Sequence, residues 1–479
     1  MNIVNKNTIW LYISIIIYGV LAIISLNNFY FWDNIQQTSI EAHWFYWTDF
    51  GSLFITPNVL EGIGATGYHS PLMGLMTALL WKIIGYELWV SHAFITLWSA
   101  IFFYNVWKLV KHFLYEHFQG IVFAIIVLES AVLTQFSIAS PDFILLTAFV
   151  MAIRAILERK KWLLAVGIFF LCTINMRGVF AGVIIYIAHN YYEYLLSDKK
   201  FNLTLFWQVI TSYLPTILIL SFYYVFYILK NGWFVDNAQS SHYVLPSSVN
   251  FVIRHAVELF LRTVENGRFI IWLIGSYVIF KLFRNKQLQN PSLQFILMVF
   301  LLLTGMYVFF IFITQMPFGS RYFMPQFVLL TLITTHFIIH SQVRRKFFLL
   351  LLILFFELTG HFWIYPDNIA KPWDTTLSHL PYYELRKECF DYIETQNINF
   401  DNTAGGFCIY GNRQVIELRG EKQVVSSDPE NRKYFIHSNI SNNEDSFAAE
   451  LKDTNRWKPV KHFQKRWVYI TLYARTSDE

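Results

Sequence analysis

The chain has 479 residues, of which 55% are hydrophobic, 19% are aromatic and only 14% are charged. Soluble domains usually devote about a quarter of their residues to Asp, Glu, Lys and Arg, so this composition excludes a protein that is water-soluble throughout. The net charge is +5, but the basic residues stand in short clusters between apolar runs, as membrane topology places them. A nucleic-acid partner is therefore not implied.

Apolar runs long enough to cross about 30 Å of hydrocarbon recur from Trp10 to Phe362. The first, Trp10 to Leu26, has no small-residue cleavage site after it, so we interpret it as a retained signal anchor. The stretch from Pro71 to Ile84 is short and is interrupted at Lys82. We expect this stretch to form a juxtamembrane helix on the outer face rather than a full crossing.

The distribution of basic residues predicts the topology. No Lys or Arg occurs between Lys6 and Lys82, so the loop after the first span should be outside and the amino terminus cytoplasmic. With the Pro71 to Ile84 helix kept outside, five basic clusters fall on the cytoplasmic side: Lys108 with Lys111, Arg159 to Lys161, Lys199 with Lys200, Lys281 to Lys286, and Arg344 to Lys346. We therefore predict a multi-pass, polytopic α-helical protein of the cell membrane with about 11 transmembrane helices. The outer face includes a long loop at 231–268.

The composition becomes that of an ordinary soluble domain from about Asp367. A helical pattern covers Tyr382 to Thr395, and strand-like runs cover Phe407 to Tyr410, Tyr434 to His437 and Trp467 to Tyr473. We therefore predict two domains. A transmembrane domain covers 1–365 with an outer juxtamembrane loop at 28–88, and a small extracytoplasmic α/β domain covers 366–479, periplasmic if the protein is bacterial.

Asp33 lies just beyond the first span in the run Phe31-Trp32-Asp33-Asn34. Aromatic side chains settle at the membrane interface, which would leave this carboxylate facing a cavity where it can act as a general base. Its position alone fits a solvated loop carboxylate at least as well. His43, Asp49 and Glu61 follow in the same loop, but their spacing matches no zinc motif.

Five motifs follow one another along about residues 10 to 340. They are Asp33, the run His69-Ser70-Pro71-Leu72, Pro141-Asp142, Arg177-Gly178 and Arg321-Tyr322-Phe323-Met324-Pro325. Their order resembles the polyprenyl-phosphate-sugar-dependent glycosyltransferases of the GT-C class, which include protein O-mannosyltransferases and lipid A aminoarabinose transferases. Each motif alone is weak, whereas five in one order are specific.

Two positions depart from the family pattern. Members often carry a second acid after the first, and this chain has Asn34 there; the first Pro of a Pro-Pro pair is replaced by Ser70. Asn34 weakens any scheme that needs two adjacent carboxylates or a metal, and it keeps open a receptor or scaffold of this fold without activity.

The resemblance implies an inverting glycosyltransferase. The enzyme would move a sugar from a polyprenyl-phosphate donor to a glycolipid, glycan or protein acceptor at the outer face of the membrane. It implies a base at Asp33, donor-phosphate binding by Arg321, Arg177 and His69, and acceptor contact or positioning by Asp142 and Tyr322. Arg177 equally suits a structural ion pair, and Asp142 equally suits a helix cap. No cofactor or metal ligand is assigned, and a divalent metal stays open.

Two other functional classes fit a polytopic protein with a polar outer face. A transporter or flippase of lipid-linked saccharides predicts ionisable groups near the membrane midplane, whereas the candidates here lie at one interface. A polysaccharide polymerase or ligase usually has a large outer loop rich in Arg and His, whereas the segment 231–250 contains neither Lys nor Arg.

Overall fold

The computed structural model describes residues 3–51, 70–197, 203–232, 245–285, 290–315, 318–342, 344–365, 373–419, 423–441, 450–451, 453 and 455–476. His69, predicted to bind the donor phosphate, lies outside the described residues, as does Glu61.

The described chain is almost entirely helical as far as Gly360. In chain order the helices are α1 (Ile3–Ser25), a π-helix (Ile35–Ile40), α2 (Glu41–Trp47), α3 (Leu72–Ile84), α4 (Leu88–Phe113), α5 (Glu116–Val127), α6 (Ser130–Ser137), α7 (Pro141–Leu157), α8 (Lys161–Ile174), α9 (Met176–Leu196), α10 (Leu203–Ile210), α11 (Leu214–Asn231), α12 (Val249–Val264), α13 (Phe269–Asn285), α14 (Pro291–Ile313), a 3₁₀ turn (Ser320–Phe323), α15 (Met324–His340) and α16 (Lys346–Gly360).

Four stretches of helix in the described part are long and apolar enough to cross a membrane: Thr8–Ser25, Leu88–Phe113, Pro291–Ile313 and Ser320–His340. Two bent pairs, α5 with α6 at 59° and α10 with α11 at 61°, raise the number to as many as six if each pair is one span. The prediction of a multi-pass helical membrane protein is confirmed. The finer prediction of about 11 spans is not confirmed by these helices.

The predicted juxtamembrane helix is present as α3, which packs against α2. Gly74 in α3 permits a close approach, because a Cβ built at this position would lie 2.3 Å from the Cβ of Glu41. On which side of the membrane α3 lies stays a prediction.

The predicted outer loop at 231–268 contains a helix, α12, which is not among the candidate spans of the described residues, and its side of the membrane stays a prediction. Ser248 caps this helix, its side chain accepting a hydrogen bond from the Phe251 N–H at 3.3 Å. The charged residues of α12, including Arg254 and Arg262, gave the segment a loop-like composition although they recur at helical spacing. Residues 233–244 of the predicted loop lie outside the described chain.

The C-terminal region contains 3₁₀ turns at Trp373–Thr375, Leu377–His379 and Phe400–Asn402, the helices α17 (Pro381–Thr395) and α18 (Arg413–Glu417), and the strands β1 (Thr403–Gly405), β2 (Gly411–Asn412), β3 (Val424–Val425), β4 (Tyr434–Ser438), β5 (Trp457–Lys465) and β6 (Val468–Arg475). Four of the strands form a sheet in the order β1-β4-β6-β5, in which only β1 and β4 run parallel. β2 and β3 form a separate antiparallel pair.

The predicted helix and two of the three predicted strands are confirmed. The strand predicted at Phe407 to Tyr410 is wrong, because these residues form a turn in which Cys408 has a φ of 75°. The true strand, β1, ends just before Gly406. β5 was not predicted, since it is an edge strand that is mostly exposed and lacks an apolar alternation.

The C-terminal region packs directly on the loop that follows α1. Phe31 and Trp32 belong to the same apolar core as Tyr382 and Tyr383. The Tyr30 N–H donates a hydrogen bond to the Ile416 carbonyl at 3.1 Å. This packing brings the segment Trp373–Thr375 against α6 and the 3₁₀ turn Ser320–Phe323.

Candidate active site

Asp33 lies in the turn between α1 and the π-helix. The preceding aromatic residues fix this turn, since Phe31 is fully buried and the Trp32 ring packs edge-on against Phe407 at 5.1 Å. The Asp33 side chain is 32% exposed. Asn34 is buried and turned away from it, donating a hydrogen bond to the Ile138 carbonyl at 2.7 Å, so Asn34 takes no part in the polar cluster around Asp33.

Asp142 stands in the first turn of α7, but it is not the cap of that helix. Ser140 is the cap, because its Oγ accepts a hydrogen bond from the Asp142 N–H at 3.1 Å. The Asp142 carboxylate instead receives two hydrogen bonds from Arg177 Nη2, at 2.8 and 3.0 Å, and one from Asn175 Nδ2 at 3.1 Å. The structure thus favours the ion-pair interpretation of these two motifs over a helix cap.

The glycine of the Arg177-Gly178 motif has a packing role. A Cβ built at Gly178 would lie 1.7 Å from the Leu171 carbonyl oxygen, so only glycine lets α9 begin so close to the end of α8. The Asn175 side chain caps α9 by accepting a hydrogen bond from the Gly178 N–H at 3.2 Å. Together these contacts direct Arg177 toward Asp142.

Arg321 is the centre of the cluster. It lies in the 3₁₀ turn before α15, and its side chain is only 6% exposed. Its Nη2 contacts Asp33, its Nε lies 3.0 Å from Asp142 Oδ2, and its Nη1 contacts Asp374. All three nitrogens of one guanidinium are therefore engaged by carboxylates.

Tyr322 orders the two arginines from one side. Its ring centroid lies 3.9 Å from the Arg177 guanidinium carbon and 5.1 Å from that of Arg321. A guanidinium is attracted to the face of an aromatic ring at such distances. Tyr307 holds the backbone of Tyr322 by donating a hydrogen bond to its carbonyl at 3.0 Å.

Five of the six residues predicted for the site are therefore brought together: Asp33, Asp142, Arg177, Arg321 and Tyr322. Asp374 was missed. It lies in the C-terminal region, and nothing in the run Trp373-Asp374-Thr375 marks a functional acid. Asp374 is far in sequence from the other motifs, so its place in the site becomes visible only when the C-terminal region is seen to pack there.

The cluster contains more carboxylates than guanidinium groups, and the carboxylates differ in their exposure to solvent. Two guanidinium groups face three carboxylates, and the side chains of Asp142 and Asp374 are only 5% and 7% exposed. Asp33 is the most open of the three carboxylates. The cluster can therefore bind an anion through its arginines and offer an accessible carboxylate as a proton acceptor beside it.

Two cavities adjoin the cluster. A small cavity of about 20 Å³ is lined by Arg177, Arg321 and Tyr322 among others. A larger apolar groove of about 530 Å³ lies between α12, α13, α14 and α15. Tyr307 and Gln326 line both cavities, so the groove leads to the charged cluster.

A second arginine network lies beside the first. Arg268 is fully buried; its Nε donates to Glu129 Oε1 at 2.7 Å, and its Nη1 donates to the Ser320 carbonyl at 3.0 Å. The Ser320 hydroxyl also donates to Glu265. This network holds the backbone immediately before Arg321.

Among the described residues, no group of three or more His, Cys, Asp and Glu side chains could hold a metal ion. The carboxylates of Asp33, Asp142 and Asp374 surround a guanidinium instead, which fills the space between them.

Two solved structures share this architecture. ArnT from Cupriavidus metallidurans bound to undecaprenyl phosphate is 11% identical to the chain, with a TM-score of 0.50 over 98% of this chain and 99% of that chain. ArnT from the same organism in the apo state is 10% identical, with a TM-score of 0.53 over 97% and 98%. ArnT is a lipid A aminoarabinose transferase of the GT-C class, so the expected GT-C fold is confirmed. No family model and no curated protein matches the chain.

Proposed function

We propose that the chain is an inverting glycosyltransferase that moves a sugar from a polyprenyl-phosphate donor to an acceptor at the outer face of the membrane. One observation carries the proposal: Asp33, Asp142, Arg177 and Arg321, from four separate motifs, meet in one cluster at the end of an apolar groove. The fold of ArnT, one of whose structures binds undecaprenyl phosphate, supports it.

The arginines would bind the donor phosphate. A guanidinium suits a phosphate because it donates two parallel hydrogen bonds to it, and Arg177 and Arg321 both line the small cavity. Gln326 lies between that cavity and the groove, and its buried side-chain amide has no hydrogen-bond partner among the described residues. This amide is placed to donate to a phosphate oxygen. His69 would add a further contact.

The apolar groove would hold the start of the polyprenyl chain. Its walls include Phe260, Trp272 and Leu273, which offer no charge. Such walls suit the hydrocarbon of a polyprenyl chain, whose phosphate would then lie at the end of the groove next to the charged cluster. The donor would thus be oriented with its sugar near Asp33.

Transfer would then proceed in one displacement. The acceptor, a hydroxyl or amine of a glycan, lipid or protein, attacks the anomeric carbon from the face opposite the phosphate. Asp33 takes the acceptor proton as the new bond forms, and the electron pair of the broken C–O bond leaves with the phosphate. Asp142 and Tyr322 would position the arginines that stabilise this departing anion.

The topology of the chain belongs to the same proposal. The lack of Lys and Arg between Lys6 and Lys82 would place the amino terminus in the cytoplasm, and about 11 spans, an odd number, would place the C-terminal region outside. The transmembrane domain at 1–365 would present the cluster outside, and the C-terminal domain at 366–479 would cover it there. No resident cofactor enters the reaction, because the donor already carries an activated phosphate leaving group.

The test is transfer of label from a panel of radiolabelled polyprenyl-phosphate sugars by the purified protein reconstituted in lipid. Asp33→Asn should lower the rate by about 10²- to 10⁴-fold while binding of undecaprenyl phosphate persists. Arg321→Ala should lose both transfer and binding. Asp391→Asn, an exposed change on α17, is the matched control and should behave as the wild type.

The alternatives make different predictions for this experiment. A transporter would move a labelled lipid-linked saccharide between leaflets without any transfer to an acceptor. An inactive scaffold would show neither transfer nor donor binding across the panel, and either result would overturn the proposed function.

A further inference from the structure

The guanidinium of Arg321 is already shared among three carboxylates in this structure. Asp33, Asp142 and Asp374 each take one of its three nitrogens. A guanidinium has five N–H groups, so a phosphate can still reach the second N–H of Nη1 or Nη2, but it then lies beside the carboxylate that pairs with the same nitrogen. Which carboxylate opposes the phosphate most follows from how each is paired and how far it is exposed.

Asp142 is the most strongly held of the three carboxylates. Arg177 and Asn175 also bind this carboxylate, so Asp142 would stay in place if its contact with Arg321 were lost. Asp374 is bound differently, because its carboxylate has an ion pair with Arg321 and with no other described residue. Among the described residues the Asp33 carboxylate is also paired with Arg321 alone, but it is 32% exposed, so solvent screens its charge.

The segment that carries Asp374 is anchored through other groups. The Gln135 side chain donates a hydrogen bond to the Asp374 carbonyl at 2.6 Å, and the Trp373 indole donates to the Asn439 carbonyl at 2.9 Å. Asn266 donates to the Thr375 hydroxyl at 3.3 Å. The Asp374 carboxylate can therefore rotate away from Arg321 without releasing the segment.

The charge of the site opposes the binding of a further anion. Three carboxylates and two guanidinium groups leave one excess negative charge, and a bound phosphodiester adds another. Two excess charges in a mostly buried site are costly, since the low dielectric strengthens their repulsion. Because the Asp374 side chain is only 7% exposed, its charge opposes that of the phosphate whether the carboxylate stays beside Arg321 or turns away from it.

We infer that Asp374, contributed by the C-terminal region, competes with the donor phosphate for Arg321 and helps to expel the product phosphate after transfer. The inference rests on the proposed function. Transfer converts the phosphodiester into a monoester, whose second ionisation near pH 6 raises its charge toward −2. This product binds arginines more tightly than the donor does, and the return of the Asp374 carboxylate to Arg321 opposes that binding.

The experiment measures the dissociation constant of undecaprenyl phosphate for the full chain in lipid nanodiscs. Asp374→Asn should tighten binding by at least about fivefold, because the competing charge is gone. Asp142→Asn should weaken binding, because Asp142 orients both arginines. Asp391→Asn should leave the dissociation constant unchanged. In multiple-turnover assays, Asp374→Asn should also be inhibited by undecaprenyl phosphate at lower concentration than the wild type.

A second variant protects the test against a folding defect. Gln135→Met removes the hydrogen bond to the Asp374 carbonyl without changing any charge. Asp374 is then held less firmly beside Arg321, so binding of undecaprenyl phosphate should tighten by about twofold. If Asp374→Asn does not fold, this variant decides the question.

The contrary outcomes are distinct from those of the proposed function. Unchanged or weaker binding by Asp374→Asn, while Arg321→Ala abolishes binding, would overturn the competition and leave Asp374 a positioning residue for Arg321. Unchanged binding by Arg321→Ala would instead show that the phosphate does not bind there, and the proposed function itself would fail.

Discussion

Two arginine networks lie side by side at one end of the helix bundle and differ in what reaches them. Arg268 is fully buried, and its partner Glu129 is 3% exposed. Arg321 belongs to a network with one partly open carboxylate, Asp33 at 32% exposure, and it borders a cavity. Ser320 contacts the first network while the next residue is the centre of the second.

The difference separates a structural ion pair from a site that can accept a ligand. A buried pair whose charges compensate each other contributes a defined geometry, and the removal of one partner leaves an uncompensated charge. A pair at the edge of a cavity can exchange one partner for an incoming anion at lower cost. By this criterion the Arg268 network is structural, and the Arg321 network is the one that we propose binds the donor phosphate.

The largest expected effect contrasts the two arginines directly. Arg268→Met should destabilise the protein by about 3–5 kcal/mol, because Glu129 is left charged and buried. Arg321→Met leaves Asp374 without its ion-pair partner, but Asp33 faces solvent and Asp142 keeps Arg177, so the loss of stability should be no greater than that of Arg268→Met, while transfer should be abolished. Thermal unfolding in detergent and the transfer assay measure the two effects.

A double variant is the control for the structural network. Glu129→Gln combined with Arg268→Met removes both charges and keeps a side chain that can cap α6, as Glu129 does by accepting from the Val132 N–H at 3.0 Å. Stability should recover most of the loss. If the double variant is as unstable as Arg268→Met alone, the uncompensated charge is not the cause.

The sequence revealed the Arg321 network better than the Arg268 network, for a physical reason. Asp33, Asp142 and Arg177 stand where apolar runs end, and each belongs to one of the five motifs that follow the family order. Glu129 and Arg268 stand in similar borders, but no family motif includes them and their pairing depends on the packing of separate helices. The charge of these residues and their spacing in the sequence do not predict which of them form ion pairs.

The docking of the C-terminal region was the part least accessible to sequence reasoning. The change of composition near Asp367 predicted a separate folded unit, and the helix α17 was predicted correctly. Neither feature indicates that this unit shares a core with Phe31 and Trp32. The contact of Asp374 with Arg321 follows from that shared core and could not be predicted without it.

The second expected effect concerns the stability of the contact between the C-terminal region and the loop after α1. The Arg321 network depends on this contact because Asp374 belongs to it. The His379 ring stacks on Phe31 at 4.9 Å, and burial lowers the pKa of His379 to about 4. The unfolded chain binds a proton near pH 6.5, so between about pH 6.5 and 4 the unfolded state holds more protons. Stability should therefore be full above pH 6.5 and fall by about 3 kcal/mol as the pH approaches 4.

The measurement is the unfolding midpoint of the wild type and of His379→Phe between pH 4.5 and 8. Phenylalanine keeps a ring against Phe31 but cannot be protonated, so the variant should lose less stability in acid. Other buried histidines, such as His43, whose burial lowers its pKa to about 4, act with the same sign. The difference between the two proteins isolates His379, and identical pH profiles would contradict its role.

The smallest expected effect tests how the Arg321 network depends on close helix packing. Gly178→Ala would place a Cβ 1.7 Å from the Leu171 carbonyl oxygen, so α9 must move away from α8 at a cost of about 1–3 kcal/mol. Arg177 lies at the start of α9, and its contact with Asp142 should be displaced with it. Binding of undecaprenyl phosphate should weaken by more than the loss of stability alone explains.

Gly305→Ala on α14 is the matched control, because a Cβ at that position would meet nothing within 4 Å. Alanine also favours a helix over glycine by about 1 kcal/mol, so this variant should be as stable as the wild type or more so, with unchanged binding. If Gly178→Ala also binds undecaprenyl phosphate as the wild type does, the placement of Arg177 does not depend on this contact. The Arg177-Gly178 motif would then serve helix packing rather than anion binding. Of the two arginines in the cluster, Arg321 alone would remain the candidate for binding the phosphate.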